Sequence, residues 1–395
     1  MNKPKLHNSA GTFTLEELTA LQHSDLSSSM LTALDGNSYQ FRHAIDHVAD
    51  ICFNIVNVVA QCQKTQLPVA KIVKEKSPFF HERYRVHFPA KWESLEEKMR
   101  SAFQHQFSTK YSYGAEVKAW ISVQSKFSSE DLEILSFPAL INPKEKQSAQ
   151  KYVDLFNLFI AQLVEQLSSA EYKKKIRDRN IDKKNNKSAC IELFNHLIAK
   201  FARVLVIRMD FALKRDPETL LKHASSMAVP YSRHDLIDLK GYMKKFKNNW
   251  RNNKLLSAIE GYIWQYEYSH ATGFHIHAYF FYDGDKHQED ITLAQYISDY
   301  WIKVTRNRGC TYICNMQKDQ YKYSGIGMIH YSDTEKQSYL FKTFDYIVKA
   351  DQFFMFSELK NFKRFHRSEL PEPKANSGRP RALITTNSQP FAQEV

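Results

Sequence analysis

The chain has no run of eighteen or so apolar residues, so no membrane-spanning helix is expected. Its N-terminus lacks the basic-then-apolar pattern of a secretory signal, which places the protein in the cytoplasm, with no membrane partner. Cysteine is scarce. The five in 395 residues are Cys52, Cys62, Cys190, Cys310 and Cys314, an odd and scattered set that argues against a disulfide framework and for reduced thiols. Cys310-x3-Cys314 has no second Cys or His pair at a finger-like spacing, so it reads as ordinary strand cysteines rather than a zinc site. Acidic residues are outnumbered, 43 against 55 Lys+Arg, and the formal charge is +12. That excess favours a polyanionic partner, and in the cytoplasm nucleic acid is the natural one. The competing reading of the charge alone is an ordinary basic enzyme.

What is present is a core-forming chain, 43% hydrophobic and 13% aromatic, long enough for two or three domains. Residues 1–40 are polar and read as loosely ordered. From 41 to 190 the apolar pattern is helical: Ile45, Val48, Ile51, Cys52, Ile55 and Val58 recur at three and four, and Tyr152 to Leu167 repeats the pattern. This stretch reads as a helical accessory domain. Near its end lies a basic run, Lys173-Lys174-Lys175, Arg177, Arg179, Lys183-Lys184 and Lys187. It reads as a linker, either a solvated hinge or a contact to a DNA backbone. Over 191–368 strands and helices alternate: strands at 203–211, 261–269, 274–282, 311–315 and 326–330, with helices at 191–200, 232–252, 292–306 and 332–350. Neighbouring strands joined by a short turn predict an α+β domain with a central antiparallel sheet flanked by helices. From 369 to 395 Pro, Ser, Gly, Asn and Thr dominate, which predicts a disordered tail.

His275-Ile276-His277 sits in an apolar strand, so both imidazoles point the same way. With sixteen His in the chain, roughly half an His-x-His arises by chance, so the pair gains weight only from its surroundings. If the hairpin loop is centred on Ala271, Glu267 lies opposite His275 and Gln265 opposite His277, all on one face. The other face carries Tyr262, Trp264, Tyr266, Tyr268, Phe274, Ile276, Ala278 and Phe280, fit for a core. Two imidazoles and a carboxylate suit Mg2+, Mn2+ or Zn2+, with positions left for a phosphate oxygen and water. The plain alternative is two hydrogen-bonded strand histidines. Downstream, Ser332-Asp-Thr-Glu335 reads as a capping box opening a helix. On it Tyr339, Lys342, Tyr346 and Lys349 form one narrow stripe, away from apolar Leu340, Phe344, Ile347 and Val348. A phenol is a weak nucleophile at its ordinary pKa near ~10, and a nearby Lys+ would activate it.

His-hydrophobic-His on a strand followed by Tyr-x-x-Lys on a helix resembles the HUH endonucleases: rolling-circle initiators, relaxases and related transposases. More narrowly, Arg208-Met-Asp210, Gly261-Tyr-Ile-Trp264-Gln-Tyr-Glu267, Gly273-Phe-His275-Ile-His277, Gly325-Ile-Gly327 and Tyr346-Ile-Val-Lys349 resemble the inovirus-type gene II replication protein family, whose C-terminal domain is also called YagK/YfjJ. The resemblance spans about 195–365. It implies an HUH/Rep-type sheet, His275, His277 and Glu267 as ligands of a divalent metal (Mg2+ or Mn2+), Tyr346 as the residue attacking DNA and Lys349 as its partner. Tyr339 stands as a second nucleophile or a structural aromatic. Arg208 and Asp210 share a strand face, where they contact phosphate, support the site or form a salt bridge. The implied activity is nicking and rejoining single-stranded or origin DNA through a 5′-phosphotyrosine in a bacterial host, with the host replication helicase and polymerase as partners. Lys244, Lys245, Lys247, Arg251, Lys363, Arg364 and Arg208 are the expected DNA contacts. Two other readings remain: an inactive DNA-binding regulator on the same fold, and a transposase or relaxase using the same chemistry.

Overall fold

The computed structural model describes residues 30–32, 38–40, 46–77, 80–109, 111–142, 144–214, 233–269, 273–321, 323–348, 354–356 and 362–372. Of the tail expected at 369–395, residues 373–395 lie outside them, as does most of the polar N-terminus.

The helical periodicity of the first half yields α1 (Asp46–Cys62), α2 (Ala90–Phe103), α3 (Ala115–Gln124), α4 (Ser129–Ser136), α5 (Lys146–Ser168) and α6 (Ala170–Lys200). Trp92, Phe103, Trp120, Phe156 and Phe159 are fully buried among them. The half is not purely helical. Short strands β1 (Met30–Thr32) and β2 (Ser38–Gln40) pair, and an antiparallel hairpin joins β3 (Lys71–Ser77) to β4 (Phe80–His87). In β3 and β4 the apolar residues alternate: Ile72, Tyr84 and Val86 share one face, and Ile72 and Val86 pack on the core. That period of two is the strand signal a helix-periodic reading passes over. A further short strand, β5 (Tyr111–Tyr113), pairs with β11 (Phe354–Phe356).

The basic run is no hinge. Residues 173–187 lie inside α6, one continuous helix of 31 residues capped by the Ser169 hydroxyl, which accepts from the Tyr172 amide at 3.2 Å. Lys and Arg are good helix formers, and no Gly or Pro interrupts the stretch. The accessory region and the sheet domain therefore share one helix.

The second half builds a six-stranded, wholly antiparallel sheet from β6 (Arg203–Leu213), β7 (Ile259–Ser269), β8 (Gly273–Asp283), β9 (Gly309–Ile313), β10 (Gly327–His330) and β12 (Phe365–Arg367). Its order is β10-β6-β8-β7-β12, with β9 also on β6. One face carries Phe211, Ile276, Phe280 and the predicted aromatic row, covered by α7 (Arg233–Asn248) and α8 (Asp290–Val304) through Leu239, Met243, Phe246, Ile297 and Trp301. The other face carries Val204, Val206, Ile263, Tyr279 and Phe281. It is covered by the C-terminal half of α6 and by α9 (Thr334–Ile347), through Cys190, Leu193, Phe194, Leu197, Leu340, Phe344 and Ile347. The cap of α9 is Asp333, not Ser332: its carboxylate accepts from the Lys336 amide at 3.0 Å, while the Ser332 hydroxyl contacts His330 at 2.6 Å.

On one edge β6 changes partner, from β10 at residues 203–206 to β9 at 209–213. The buried Asn315 side chain fills the gap. Its amide donates to the Val206 carbonyl at 3.0 Å and to Asp290 at 2.9 Å, and its oxygen accepts from the Arg208 amide at 2.8 Å. Asn315→Ala strands these buried backbone groups, so a loss of ~1–3 kcal/mol is expected, read as a lowered denaturant midpoint. An unchanged midpoint would refute this role.

Candidate active site

The β7–β8 register places Glu267 opposite His275 and Gln265 opposite His277, with Ser269 opposite Gly273, so the loop is centred on Ala271. Side-chain alternation then puts Gln265, Glu267, His275 and His277 on the face covered by α6 and α9. The Nε2 atoms of His275 and His277 lie 3.2 Å apart, and a Glu267 carboxylate oxygen is 2.7 Å from that of His277 and 3.8 Å from that of His275. Donor atoms of the three residues all lie within 4.8 Å of one another, the one such His/Cys/Asp/Glu group among the described residues.

Both rings are oriented from behind. His275 Nδ1 sits 2.8 Å from the Gly273 carbonyl, and His277 Nδ1 is 2.6 Å from a carboxylate oxygen of Asp210. With each Nδ1–H donating to these acceptors, each ring in its neutral form turns its Nε2 lone pair to the shared point beside Glu267, where His277 otherwise holds a proton against the carboxylate. Asp210 reaches His277 because β6 pairs with β8 in a register that puts them opposite each other. Sequence reading left Asp210 open between a phosphate contact, support of the site and a salt bridge, and the hydrogen bond to His277 is the second of these. The missing fact was which strand β6 would pair with.

The electrostatics call for a cation. Burial alone would push His277 down, but the Asp210 and Glu267 carboxylates outweigh it and raise its pKa to about 10. Burial and the neighbouring His277 instead push His275 down. Burial opposes ionisation of Asp210, yet His277 and Arg208 hold its carboxyl below the usual range. Two carboxylates around facing imidazole nitrogens stabilise positive charge between them, and the donor set fits a divalent ion. Asp210→Asn removes the negative charge behind His277 and offers its Nδ1 an amide that can donate as well as accept, so the tautomer is no longer fixed. It is expected to weaken Mn2+ binding ~10–100-fold in titration calorimetry, and wild-type affinity would exclude this orienting role.

The tyrosine helix lies on the same face. The Phe344 ring packs edge-on against Tyr279 at 5.6 Å, and Tyr279 stands two residues beyond His277 on β8. Tyr346 follows two residues later, in the last turn of α9, while Lys349 falls outside the described residues. On the flank of α9, Lys187 of α6 meets Asp345 at 2.6 Å. Tyr339 is occupied otherwise. Its hydroxyl donates to the Glu335 carboxylate, its ring stands 5.3 Å from that of Tyr323, and the Lys342 ammonium sits over both rings. The hydrogen bond to Glu335 raises its pKa, which keeps the phenol protonated.

The basic residues divide between the faces. Arg208 is on the cluster face, its guanidinium 5.7 Å from the Tyr279 ring centroid. Lys244, Lys245 and Lys247 lie on α7, behind the sheet, and Arg251 lies in the following turn, Trp250–Asn252. Lys247 donates to the Tyr262 hydroxyl at 2.5 Å and covers the Tyr262 and Trp264 rings, and Lys245 lies over Tyr242. Lys363 and Arg364 precede the edge strand β12. No disulfide joins the five cysteines, and burial pushes the Cys314 thiol up to about 12. Among the described residues, no helix is long and apolar enough to cross a membrane.

Residues 168–364 match the family of the YagK/YfjJ C-terminal domain. No curated protein and no solved structure was found to match the chain.

Proposed function

With residues 168–364 matched to the YagK/YfjJ C-terminal domain, we propose that the protein is an HUH-type endonuclease that nicks and rejoins DNA at an origin to start rolling-circle replication of a phage or related mobile element. The observation that carries this reading is the shared sheet face. Three converging donors sit there, and the helix bearing Tyr346 packs on the same face two residues along the strand.

His275, His277 and Glu267 would hold a Mg2+ or Mn2+ ion, which supplies Lewis-acid polarisation of the scissile phosphate when bound. Asp210 and the Gly273 carbonyl fix the imidazoles so that this site is preorganised. The Tyr346 oxygen attacks phosphorus. The new O–P bond forms as the P–O3′ bond breaks, the leaving oxygen takes up a proton, and the products are a 5′-phosphotyrosine and a free 3′-OH. Lys349 favours the phenolate, and Arg208, on the same face, meets phosphate. The 3′-OH is then extended by the host polymerase with helicase support, and attack of a later 3′-OH on the phosphotyrosine releases Tyr346 and reseals the strand. Tyr339, held by Glu335, serves as a structural aromatic.

The test is incubation of the protein with labelled single-stranded DNA from its own element and Mn2+, followed by denaturing electrophoresis. A denaturation-resistant adduct supports the reading. Tight binding with no adduct on the cognate origin would replace it with a non-catalytic DNA-binding regulator.

A further inference from the structure

The eight basic residues of the run in α6 do not share one environment. Arg179 is bound in a fork to Glu116 at 2.9 and 2.7 Å, with side chains only 10% and 5% exposed. Lys175 pairs with Glu171 along the helix, and Lys187 with Asp345 of α9. Lys173, Lys174, Arg177 and Lys184 point to solvent. At 3.6 residues per turn, Lys173, Arg177 and Lys184 fall on one stripe, with Lys174 at its border and Lys187 beside it on the flank turned to α9. The acidic residues Glu171, Asp178 and Asp182 fall on a different side of the helix. Apart from Lys175, neutralised by Glu171 on that acidic side, charge is therefore sorted around this rod.

The rod's position gives the stripe a direction. Phe194 of α6 meets Phe341 of α9, and seven residues earlier Lys187 meets Asp345, so the two helices run antiparallel. Continuing toward its own N-terminus, α6 passes the end of α9, where Tyr346 sits, and carries the stripe outward for about 16 Å from Lys184 to Lys173, at ~1.5 Å per residue. The C-terminal half of α6 covers the sheet face that holds the Glu267, His275 and His277 cluster, so the stripe leads away from that face, whereas the lysines of α7 are on the opposite face.

We propose that Lys173, Lys174, Arg177 and Lys184 of α6 form the track for the phosphate backbone of the single strand that runs from the cleavage site. This rests on the nickase reading for the identity of the strand, and on charge and placement for the track.

The experiment compares the full-length protein with K173Q/K174Q/R177Q/K184Q, with the charge-conserving K173R/K174R/K184R, and with the back-face variant K244Q/K245Q. Affinity for a labelled oligothymidine is measured across a NaCl series, and adduct formation on element DNA is measured in parallel. Removing four phosphate contacts at ~0.7 each should reduce the slope of log K against log salt by about 3. The Arg variant should keep the wild-type slope, and the back-face variant should lose less per charge than the α6 variant. An unchanged slope in the α6 variant, or an equal loss per charge in the back-face variant, overturns the track. A lost slope without any adduct keeps the track and rejects the nickase. An adduct with an unchanged slope does the reverse.

Discussion

Tyr346→Phe is expected to abolish the covalent protein–DNA adduct while leaving DNA binding at its wild-type level. The substitution removes one oxygen and keeps the ring, so the last turn of α9 and its packing through Phe344, Ile347 and Val348 are preserved. If that oxygen makes the new bond to phosphorus, no other group substitutes for it, and cleavage should fall by ~10⁴-fold or more, the scale on which removal of a nucleophile acts in other enzymes. Tyr339→Phe is the internal control. It breaks the bond to Glu335 and leaves the Tyr323 and Lys342 contacts, so adduct formation should stay within a few-fold of wild type. Mass mapping of the modified peptide reads the result directly. Normal adduct with Tyr346→Phe and loss with Tyr339→Phe would exchange the two roles.

His275→Ala should remove metal-dependent cleavage, and it is a cleaner test than His277→Ala. His277 is held between Asp210 and Glu267, so its removal leaves two carboxylates facing each other and confounds chemistry with stability. His275 contributes a donor atom but leaves that arrangement intact, and its own hydrogen bond is to the Gly273 carbonyl. A Lewis-acid contribution of several kcal/mol predicts a fall of ~10²–10⁴-fold in cleavage at saturating Mn2+, with Mn2+ binding weakened in parallel. Circular dichroism should show a cooperative thermal transition, lowered less than that of His277→Ala. Cleavage by the wild-type protein that persists in excess chelator would remove the ion from the mechanism.

The hairpin, its register and the cluster face were legible in the residues because three signals agree there. The Tyr/Trp alternation on one face, the His and Glu alternation on the other and a short loop fix the pairing within a single segment. The helix that carries Tyr339, Lys342 and Tyr346 was legible from its apolar side, Leu340, Phe344 and Ile347. What the residues could not disclose is long-range pairing. Asp210 meets His277 across 67 positions, and Asn315 bridges β6 from 107 residues away. The sidedness of the basic residues was hidden too. Lysines on α7 and on α6 look alike in the chain, and only the packing of Phe246 against one face and Phe194 against the other separates them. The N-terminal hairpin escaped because its alternation spans few residues within a mostly helical surrounding.

The shared helix also sets where this protein can be divided. Tyr172 and Ile176 are buried in the core of the accessory region, and Leu193, Phe194 and Leu197 in the core beneath α9. A boundary drawn between those positions takes an apolar ridge away from one partner whichever side receives the remainder. The two parts are therefore not interchangeable cassettes. A separable sheet domain has to take the helix from its start near residue 170, and the accessory region left behind surrenders its own seam against that helix, including the Glu116–Arg179 clasp. Whenever such genes recombine, inheritance of one part without the other is penalised by the geometry of a single rod.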